Sequence, residues 1–339
     1  MRESRSRSRF PGDVGNTGHP ISVPPPPTSS GGGDGKAMHL GTFRDASANG
    51  RCDPGFTCQG FEVTCPGVKA AATGMLGISK APNAHGVVVF FSGGLGNTWW
   101  GTTNQFAAGS TLSNLSQRGL TVVLVRWLDP WLYASPGEPV GPAALGCRPA
   151  TATKWIHDNI YVPLGLHPAT GACGFCITGD SGGASQVSYV LTDYGLASIV
   201  NAAVIASGPP HAGIAPGCLH ERSGSDLWYT SFSGPIIDGS YGYFQGGPCE
   251  SHDPTWAARW QADSLDTGGI TFRFPDTRII FLFGADDHSE GPPHGRLYLA
   301  KLQAAGQPLL SVQTVGGMGH LIENSSAGLS AEESSLLAQ

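Results

Sequence analysis

The sequence predicts an α/β fold in which a mostly parallel central sheet is covered by helices on both faces. Beyond about residue 60, apolar runs rich in Val, Ile and Phe alternate with segments of helical spacing. A strand that is apolar along its whole length is typical of a parallel sheet buried on both faces. Glycine accounts for 50 of the 339 residues and only 13% are charged, which excludes a coiled coil and a helical bundle.

Strands and helices are expected to alternate along the chain. Apolar runs predict strands at residues 86–94, 121–127, 174–178, 200–206, 278–283 and 309–315. Helices are expected at 154–164, 184–194 and 296–304. The middle helix has the clearest pattern, because Ala184, Val187, Leu191 and Tyr194 recur at helical spacing and Gly195 follows as a C-terminal cap.

The net charge of the chain limits the classes of partner that it can attract. Its formal net charge is -6, which gives no general attraction for nucleic acid or anionic lipid. No run reaches the roughly 18 apolar residues that a membrane-spanning helix needs. We therefore expect no nucleic-acid partner and no integral membrane segment.

Eight cysteines, several of them closely spaced, indicate disulfide bonds and an oxidising compartment. The pairing stays open at this point. A zinc site is not predicted, because it needs a second ligand pair and only one CxxC is present, at Cys173 and Cys176. That motif is expected to be structural rather than redox-active. We expect a secreted or periplasmic protein, although the first nine residues, MRESRSRSR, hold no apolar signal-peptide core.

The strongest chemical signal is GDSGG at residues 179–183, a G-x-S-x-G motif between an apolar strand and a predicted helix. In that context a sharp strand-to-helix turn pushes the serine side chain out above the sheet edge. The flanking glycines are expected because a Cβ there would clash with a neighbouring element. The N–H of Gly182 would then lie at a helix N-terminus, which favours developing negative charge.

A serine becomes a nucleophile only when a base takes its proton. In this architecture the acid and the base follow the serine, each in a loop after a later strand. The strand at 278–283 leads into Asp286 and Asp287, and the last strand leads into His320. Ser181, Asp287 and His320 therefore occur in the order nucleophile, acid, base.

This arrangement resembles the α/β-hydrolase family over roughly residues 60–339. The resemblance implies an α/β-hydrolase fold with Ser181 as nucleophile, His320 as base and Asp287 as acid. Asp286 is the near alternative for the acid and Glu290 a distant one. The mechanism implied is a Ser-His-Asp triad with an acyl-enzyme, which needs no cofactor and no metal.

The oxyanion hole of such an enzyme needs a second N–H from the loop after the strand at 86–94. Residues 92–96, SGGLG, resemble the family's His-Gly loop with Ser92 in place of His, as in cutinase-like members. We expect the N–H groups of Gly94 and Gly182 to form the hole, with Leu95 as an alternative donor. The HGGG pattern of the hormone-sensitive-lipase branch is absent, so the subfamily stays open.

Aromatic residues next to these loops are candidates for substrate contacts. Trp99 and Trp100 follow the oxyanion loop and, with Leu95, are the predicted substrate-binding residues. Trp127 and Trp131 follow the next strand and are weaker candidates. The alternative for each of these indoles is core packing beneath the loops.

Composition also divides the chain. Residues 1–38 combine an Arg/Ser repeat, a proline run and SSGGGDGK, which predicts a disordered tail. Residues 39–339 are expected to form one domain. Within it, 209–275 is longer than one connection needs, and we expect this segment to cross over the active-site end of the sheet.

Together these features predict a serine-dependent carboxylic ester hydrolase for a small-molecule or polymeric ester. A lipase or cutinase-like polyester hydrolase would use the same triad, and a catalytically inactive hydrolase fold would serve as a binding protein. GDSGG also occurs in chymotrypsin-like serine peptidases, where His85 and Asp129 would complete the triad. A helix directly after Ser181 does not suit that β-barrel, so the peptidase barrel is disfavoured.

Overall fold

One sheet organises the described part of the molecule, a computed structural model that describes residues 37–48, 50–52, 55–166, 173–221 and 225–338. All of these belong to one compact unit, Asp34–Gln339. The predicted tail lies outside the described residues except for Ala37 and Met38. The strands are β1 (Thr42–Ala46), β2 (Thr57–Thr64), β3 (Ala72–Ser79), β4 (Gly86–Phe91), β5 (Leu120–Trp127), β6 (Phe175–Asp180), β7 (Ala202–Ala206), β8 (Arg278–Gly284) and β9 (Leu310–Val315).

The sheet is mostly parallel, as the apolar runs predict. In the described ranges its strand order is β1-β2-β3-β5-β4-β6-β7-β8-β9. The pairs β5–β4, β4–β6, β6–β7, β7–β8 and β8–β9 are parallel. The pairs β1–β2, β2–β3 and β3–β5 are antiparallel and form one edge of the sheet. Strands β4, β6 and β7 are buried along their whole length, as expected for strands covered on both faces.

Helices cover both faces of this sheet, which confirms the predicted fold class. They are α1 (Gln105–Gln117), α2 (Pro142–Leu145), α3 (Cys147–Ile156), α4 (Gly182–Thr192), α5 (Ile214–Leu219), α6 (Ser233–Ser240), α7 (Ala257–Asp263), α8 (Gly291–Ala304) and α9 (Ser326–Leu337). One apolar core joins a face of the sheet to α3, α4 and α8. A second core joins the other face to α1 and α9. Each of these helices in the described part is too short or too polar to span a bilayer.

Several predicted elements have different bounds; among the helices, α4 ends at Thr192, before the expected cap Gly195, and α8 begins at Gly291 rather than at 296. The strand expected at 86–94 ends at Phe91, because the glycines after it form a loop. The helix expected at 154–164 begins earlier, at Cys147, with Pro149 in its first turn, where proline is tolerated. It ends at Ile156 and is followed by a π-helical turn over His157–Tyr161.

The eight cysteines form four disulfides, and none is free. The pairs are Cys52–Cys58, Cys65–Cys147, Cys173–Cys176 and Cys218–Cys249. The CxxC pair is therefore a bridge within one turn at the start of β6. The longest closed loop, with a sequence separation of 82, ties the end of β2 to the start of α3.

The long segment at 209–275 lies between β7 and β8 and carries α5, α6 and α7. These helices share a small apolar core of their own, which includes Ile214, Tyr241 and Trp260. The Cys218–Cys249 disulfide lies within that core. The loop before α6 and the first turns of α6 form one wall of the cleft described below.

Candidate active site

Ser181 occupies a sharp turn between β6 and α4. Its backbone has φ 50° and ψ −117°, in the left-handed half of the map that non-glycine residues rarely adopt. The turn is held at both ends, because the Ser181 N–H donates to the carbonyl of Ala206 (2.9 Å) and its own carbonyl accepts from the N–H of Ser185 (3.2 Å). A strained, well-anchored residue at a strand end is a frequent site of function.

Glycines allow the turn to approach the neighbouring strand. A Cβ built on Gly182 would lie 2.1 Å from the carbonyl oxygen of Gly94. A Cβ built on Gly183 would lie 2.2 Å from the carbonyl oxygen of Phe91. Any side chain at either position would push α4 away from the loop after β4, so the motif needs glycine there.

The structure brings three predicted side chains together. Nε2 of His320 lies 3.0 Å from Oγ of Ser181, and Nδ1 of His320 lies 3.0 Å from Oδ2 of Asp287. An ionised carboxylate only accepts hydrogen bonds, so Nδ1 carries the proton and donates to it. Nε2 is then free to accept the hydroxyl proton of Ser181, which is the geometry that general-base catalysis requires.

Asp287, rather than Asp286, faces the imidazole. The Asp287 side chain is 1% exposed, and its Oδ1 accepts from the N–H (3.0 Å) and the hydroxyl (2.7 Å) of Ser289. Burial raises the pKa of Asp287, but hydrogen bonds from His320 and Ser289 outweigh it, so the pKa is lowered overall. Asp286 is exposed, and its N–H donates to the carbonyl of Met318.

Ser289 is a member of this network that the sequence analysis missed. Its Oγ lies 2.9 Å from Nδ1 of His320 as well as 2.7 Å from Asp287, and it accepts from the N–H of Gly291 (3.2 Å). The signal for it was weak, because a serine two residues after an acid is common in turns.

Charges around His320 favour its protonated form. Burial lowers the pKa of the imidazole, but the hydrogen bond and charge of Asp287, with Asp180 and Glu290 behind it, raise it above the ordinary value. Asp180 is buried directly before Ser181, and burial together with the charge of Glu323 raises its pKa to about 7. Burial likewise raises the pKa of Glu332 to about 8, and its Oε1 accepts from the Thr178 hydroxyl (2.6 Å).

The two predicted oxyanion donors both line the cleft at Ser181. Gly94 has φ 56° and belongs to the loop over residues 92–96, called the oxyanion loop below. Gly182 is the first residue of α4, where backbone N–H groups lack intrahelical partners. Within the described residues, neither N–H has a hydrogen-bond partner. Both are therefore available to a developing negative charge.

The cleft above Ser181 is small and largely apolar on one side. Its volume is about 200 Å³, below the range of about 300–1,000 Å³ typical of drug-sized ligands. Tyr229, Phe232, Ile236 and Ile237 form the apolar wall. Glu290 also lines the cleft, and its Oε1 accepts from the hydroxyl of Ser233 on α6. No described Lys or Arg lines this cleft.

The predicted substrate contacts lie elsewhere. Leu95 packs on the core beneath α4, and Trp99 is buried with its Nε1 donating to the carbonyl of Arg51 (3.2 Å). Trp100 packs on Phe90, with ring centroids 4.6 Å apart. It borders a larger groove of about 1020 Å³ beside α1, and Ser181, Asp287 and His320 are not among the residues that line that groove.

The weaker aromatic candidates are buried as well. Trp127 and Trp131 have no exposed surface and contribute no lining to the cleft. His294, on α8 shortly after Asp287, is buried with its Nδ1 accepting from the N–H of Gly213 (3.1 Å). Burial lowers the pKa of His294 to about 4.

In the part of the chain described, no cluster of three or more His, Cys, Asp or Glu side chains could hold a metal ion.

No protein-family model and no curated protein sequence matches this chain. Solved structures do. An esterase from the hyperthermophilic archaeon Pyrobaculum calidifontis is 17% identical over 83% of each chain, with a TM-score of 0.52. A bacterial heroin esterase is 15% identical over 84% of this chain and 83% of its own, also at 0.52.

A third structure is a puromycin-hydrolysing peptidase from Mycobacterium tuberculosis. It is 12% identical over 85% of this chain but only 40% of its own, with a TM-score of 0.52. At such identities a structural likeness carries the architecture and leaves the reaction open. The chain has the α/β-hydrolase fold.

Proposed function

We propose that this protein is a serine-dependent carboxylic ester hydrolase. One contact carries the proposal: His320 Nε2 lies 3.0 Å from the Ser181 hydroxyl, while its other nitrogen faces the buried carboxylate of Asp287. A serine in this setting can lose its proton as it attacks, and the imidazolium that forms is stabilised by the carboxylate.

The reaction proceeds in two halves. His320 takes the hydroxyl proton of Ser181 as Oγ attacks the ester carbonyl, and the N–H groups of Gly94 and Gly182 bind the oxyanion. The tetrahedral intermediate collapses as His320 returns the proton to the leaving alcohol. Water, with His320 again as base, then cleaves the acyl-enzyme and releases the acid.

The cleft favours a small ester that is neutral or positively charged. Its volume of about 200 Å³ suits a short acyl or alcohol group against the wall of Phe232 and Ile236. Glu290 is the one carboxylate among the described residues that line the cleft, and with no described Lys or Arg there it repels a carboxylate-bearing substrate. A lipase or polyester hydrolase would need a larger or more open surface for its substrate.

The four disulfides support a further part of the proposal, that the protein works in an oxidising compartment outside the cytoplasm. Bridges of this kind form and persist in secreted and periplasmic proteins. In the cytosol the thiol pool would keep most of them reduced.

Steady-state kinetics on Ser181→Ala test the reaction itself. The variant should lose turnover of a short-chain nitrophenyl ester, and a fluorophosphonate should label Ser181 in the wild type but nothing in the variant. Retention of wild-type turnover by Ser181→Ala would refute the proposal. A protein that neither turns over esters nor reacts with the probe would be a binding protein.

The same assay separates the alternative substrates. Rates on soluble short-chain esters should exceed those on insoluble triglyceride or polyester, and on peptide amides of similar size. Preference for the insoluble substrates would identify a lipase or polyester hydrolase, and preference for amides would identify a peptidase.

A further inference from the structure

Every carbonyl of the oxyanion loop has a hydrogen-bond donor. Those of residues 93, 95 and 96 accept from backbone N–H groups, of Gly96, Trp131 and Trp127 respectively, at 3.0, 3.3 and 2.8 Å. The other two accept from side chains. Nε2 of Gln186 donates to the carbonyl of Ser92 (3.3 Å), and Nε1 of Trp131 donates to the carbonyl of Gly94 (3.3 Å).

These bonds fix the direction of the loop's N–H groups. In a trans peptide the C=O and the N–H point in opposite directions. Gln186 and Trp131 have no exposed surface, so the carbonyls that they bind point into the protein. The N–H groups of the same two peptides, those of Gly93 and Leu95, therefore point away from the protein interior. Among the described residues, the N–H groups of Gly93, Gly94 and Leu95 have no hydrogen-bond partner.

Leu95 packs on the core, but Gly94 has no side chain that could hold its own N–H in place. The loop has glycine at positions 93, 94 and 96, and no atom lies within 4 Å of the point where a Cβ of Gly94 would be. Glycine has a wider choice of backbone conformations than any other residue. The orientation of the Gly94 N–H therefore depends on the hydrogen bonds of the peptides around it.

The two side-chain donors are themselves held. Oε1 of Gln186 accepts from Nε1 of Trp127 (2.9 Å), which fixes the amide so that its nitrogen faces Ser92. The buried guanidinium of Arg148 donates to the carbonyls of Pro130 (3.2 Å), Trp131 (2.9 Å) and Tyr133 (2.7 Å). The segment that carries Trp131 is thus fixed to α3.

We propose that Trp131 and Gln186 are positioning residues of the oxyanion hole. Their hydrogen bonds hold the two peptide groups on either side of the Gly93–Gly94 peptide, and so keep the Gly94 N–H aimed at the cleft before substrate arrives. A donor aligned in advance stabilises the oxyanion without reorganisation in the transition state. This inference rests on the proposed esterase function.

The central experiment replaces Trp131 by Phe, which keeps an aromatic ring and deletes the indole N–H. Trp260→Phe is the matched control, because Trp260 is equally buried and its Nε1 has no partner within the described residues. Both full-length variants are compared with the wild type by thermal unfolding, by kinetics on a short-chain ester, and by inhibition with a trifluoromethyl ketone, whose hemiketal oxygen mimics the oxyanion.

We expect Trp131→Phe to lower kcat roughly tenfold with KM within about twofold, the size of one net hydrogen bond. The inhibition constant of the ketone should rise by the same factor. Trp260→Phe should change neither value by more than about twofold. If Trp131→Phe does not fold, Gln186→Met provides the same comparison, because it removes the donor to Ser92 while keeping side-chain length.

Equal losses in Trp131→Phe and Trp260→Phe would overturn the inference, since the indole would then act only by packing. A rise in KM at unchanged kcat would overturn it too. Amide hydrogen exchange at Gly96, whose N–H donates to the carbonyl of Gly93, gives a readout without turnover: it should be faster in Trp131→Phe than in Trp260→Phe, and equal exchange would refute the anchoring. An inactive wild type would refute the proposed function separately.

Discussion

The assignment of the acid can be tested by two neighbouring substitutions. Asp287→Asn removes the charge beside His320 while keeping shape, and Asp286→Asn makes the same change on the exposed neighbour. A charge pair about 4 Å apart is worth about 4 kcal/mol at an effective dielectric constant of 20. The His320 side chain is 34% exposed, so we discount this for solvent screening to about 2–3 kcal/mol, or about 10²-fold in rate.

A second effect adds to the lost charge. The amide nitrogen of an Asn at 287 can donate to Nδ1 of His320, which favours the tautomer with its proton on Nε2. That tautomer cannot accept the Ser181 proton, so the total loss in kcat should reach about 10³-fold. Asp286→Asn should stay within about twofold of the wild type, because its side chain is exposed.

The pH profile gives an independent check of the same pair. The reaction needs neutral His320, whose pKa is raised above its ordinary value of 6.5 chiefly because Asp287 outweighs burial. The wild-type kcat/KM should therefore rise with pH through a value above 6.5. In Asp287→Asn, burial still lowers the pKa of His320, and the charge that raised it is gone. The pH at which the residual kcat/KM rises should therefore shift downward. A larger loss in Asp286→Asn than in Asp287→Asn would refute the assignment.

Further outcomes follow from other contacts. Ser289→Ala should lower kcat about tenfold at unchanged KM, because it deletes one hydrogen bond to a charged group; a loss above about 10³-fold in steady-state kinetics would contradict a role limited to holding the acid. Glu290→Gln should lower the ratio of kcat/KM for a trimethylammonium ester to that for its uncharged tert-butyl isostere at least threefold, because one screened charge interaction is lost. An unchanged ratio would exclude charge selection at this residue. Replacing Cys65 and Cys147 by Ala opens a loop with a separation of 82, so denaturant titration should show a loss of about 4.5 kcal/mol in the free energy of unfolding. The bridge with a separation of 3 should contribute only about 2 kcal/mol by the same entropy relation, and equal losses would contradict it.

The interior strands of the parallel part could be predicted because most of their residues are apolar. Strand β4, GVVVFF, is buried along its whole length and carries no polar alternation that could suggest another element. The antiparallel strands β1, β2 and β3 were not predicted. They are partly exposed and interrupted by Gly60, Gly74 and Gly77, so neither their periodicity nor their composition separates them from loops.

Residues at the site also differ in how far their contacts can be predicted from the sequence. The order of loops along the chain was enough to predict roles for Ser181 and His320, because strand ends converge at one edge of a parallel sheet, whereas the choice between Asp286 and Asp287 stayed open. Trp131 could not be assigned a contact from sequence, since its indole reaches a carbonyl 37 positions away. The apolar wall around Phe232 belongs to the segment between β7 and β8, where the turns of short helices decide which side chains face the cleft.

The position of β9 has a consequence for inactivation. Among the described residues this strand pairs only with β8, at one end of the sheet, and it exposes most of its side chains. The loop that follows it carries His320. Sheet margins open at lower free energy than the interior. Mild heat should therefore detach His320, the proposed general base, while the remaining strands stay paired, so ester turnover should vanish at a lower temperature than far-ultraviolet ellipticity.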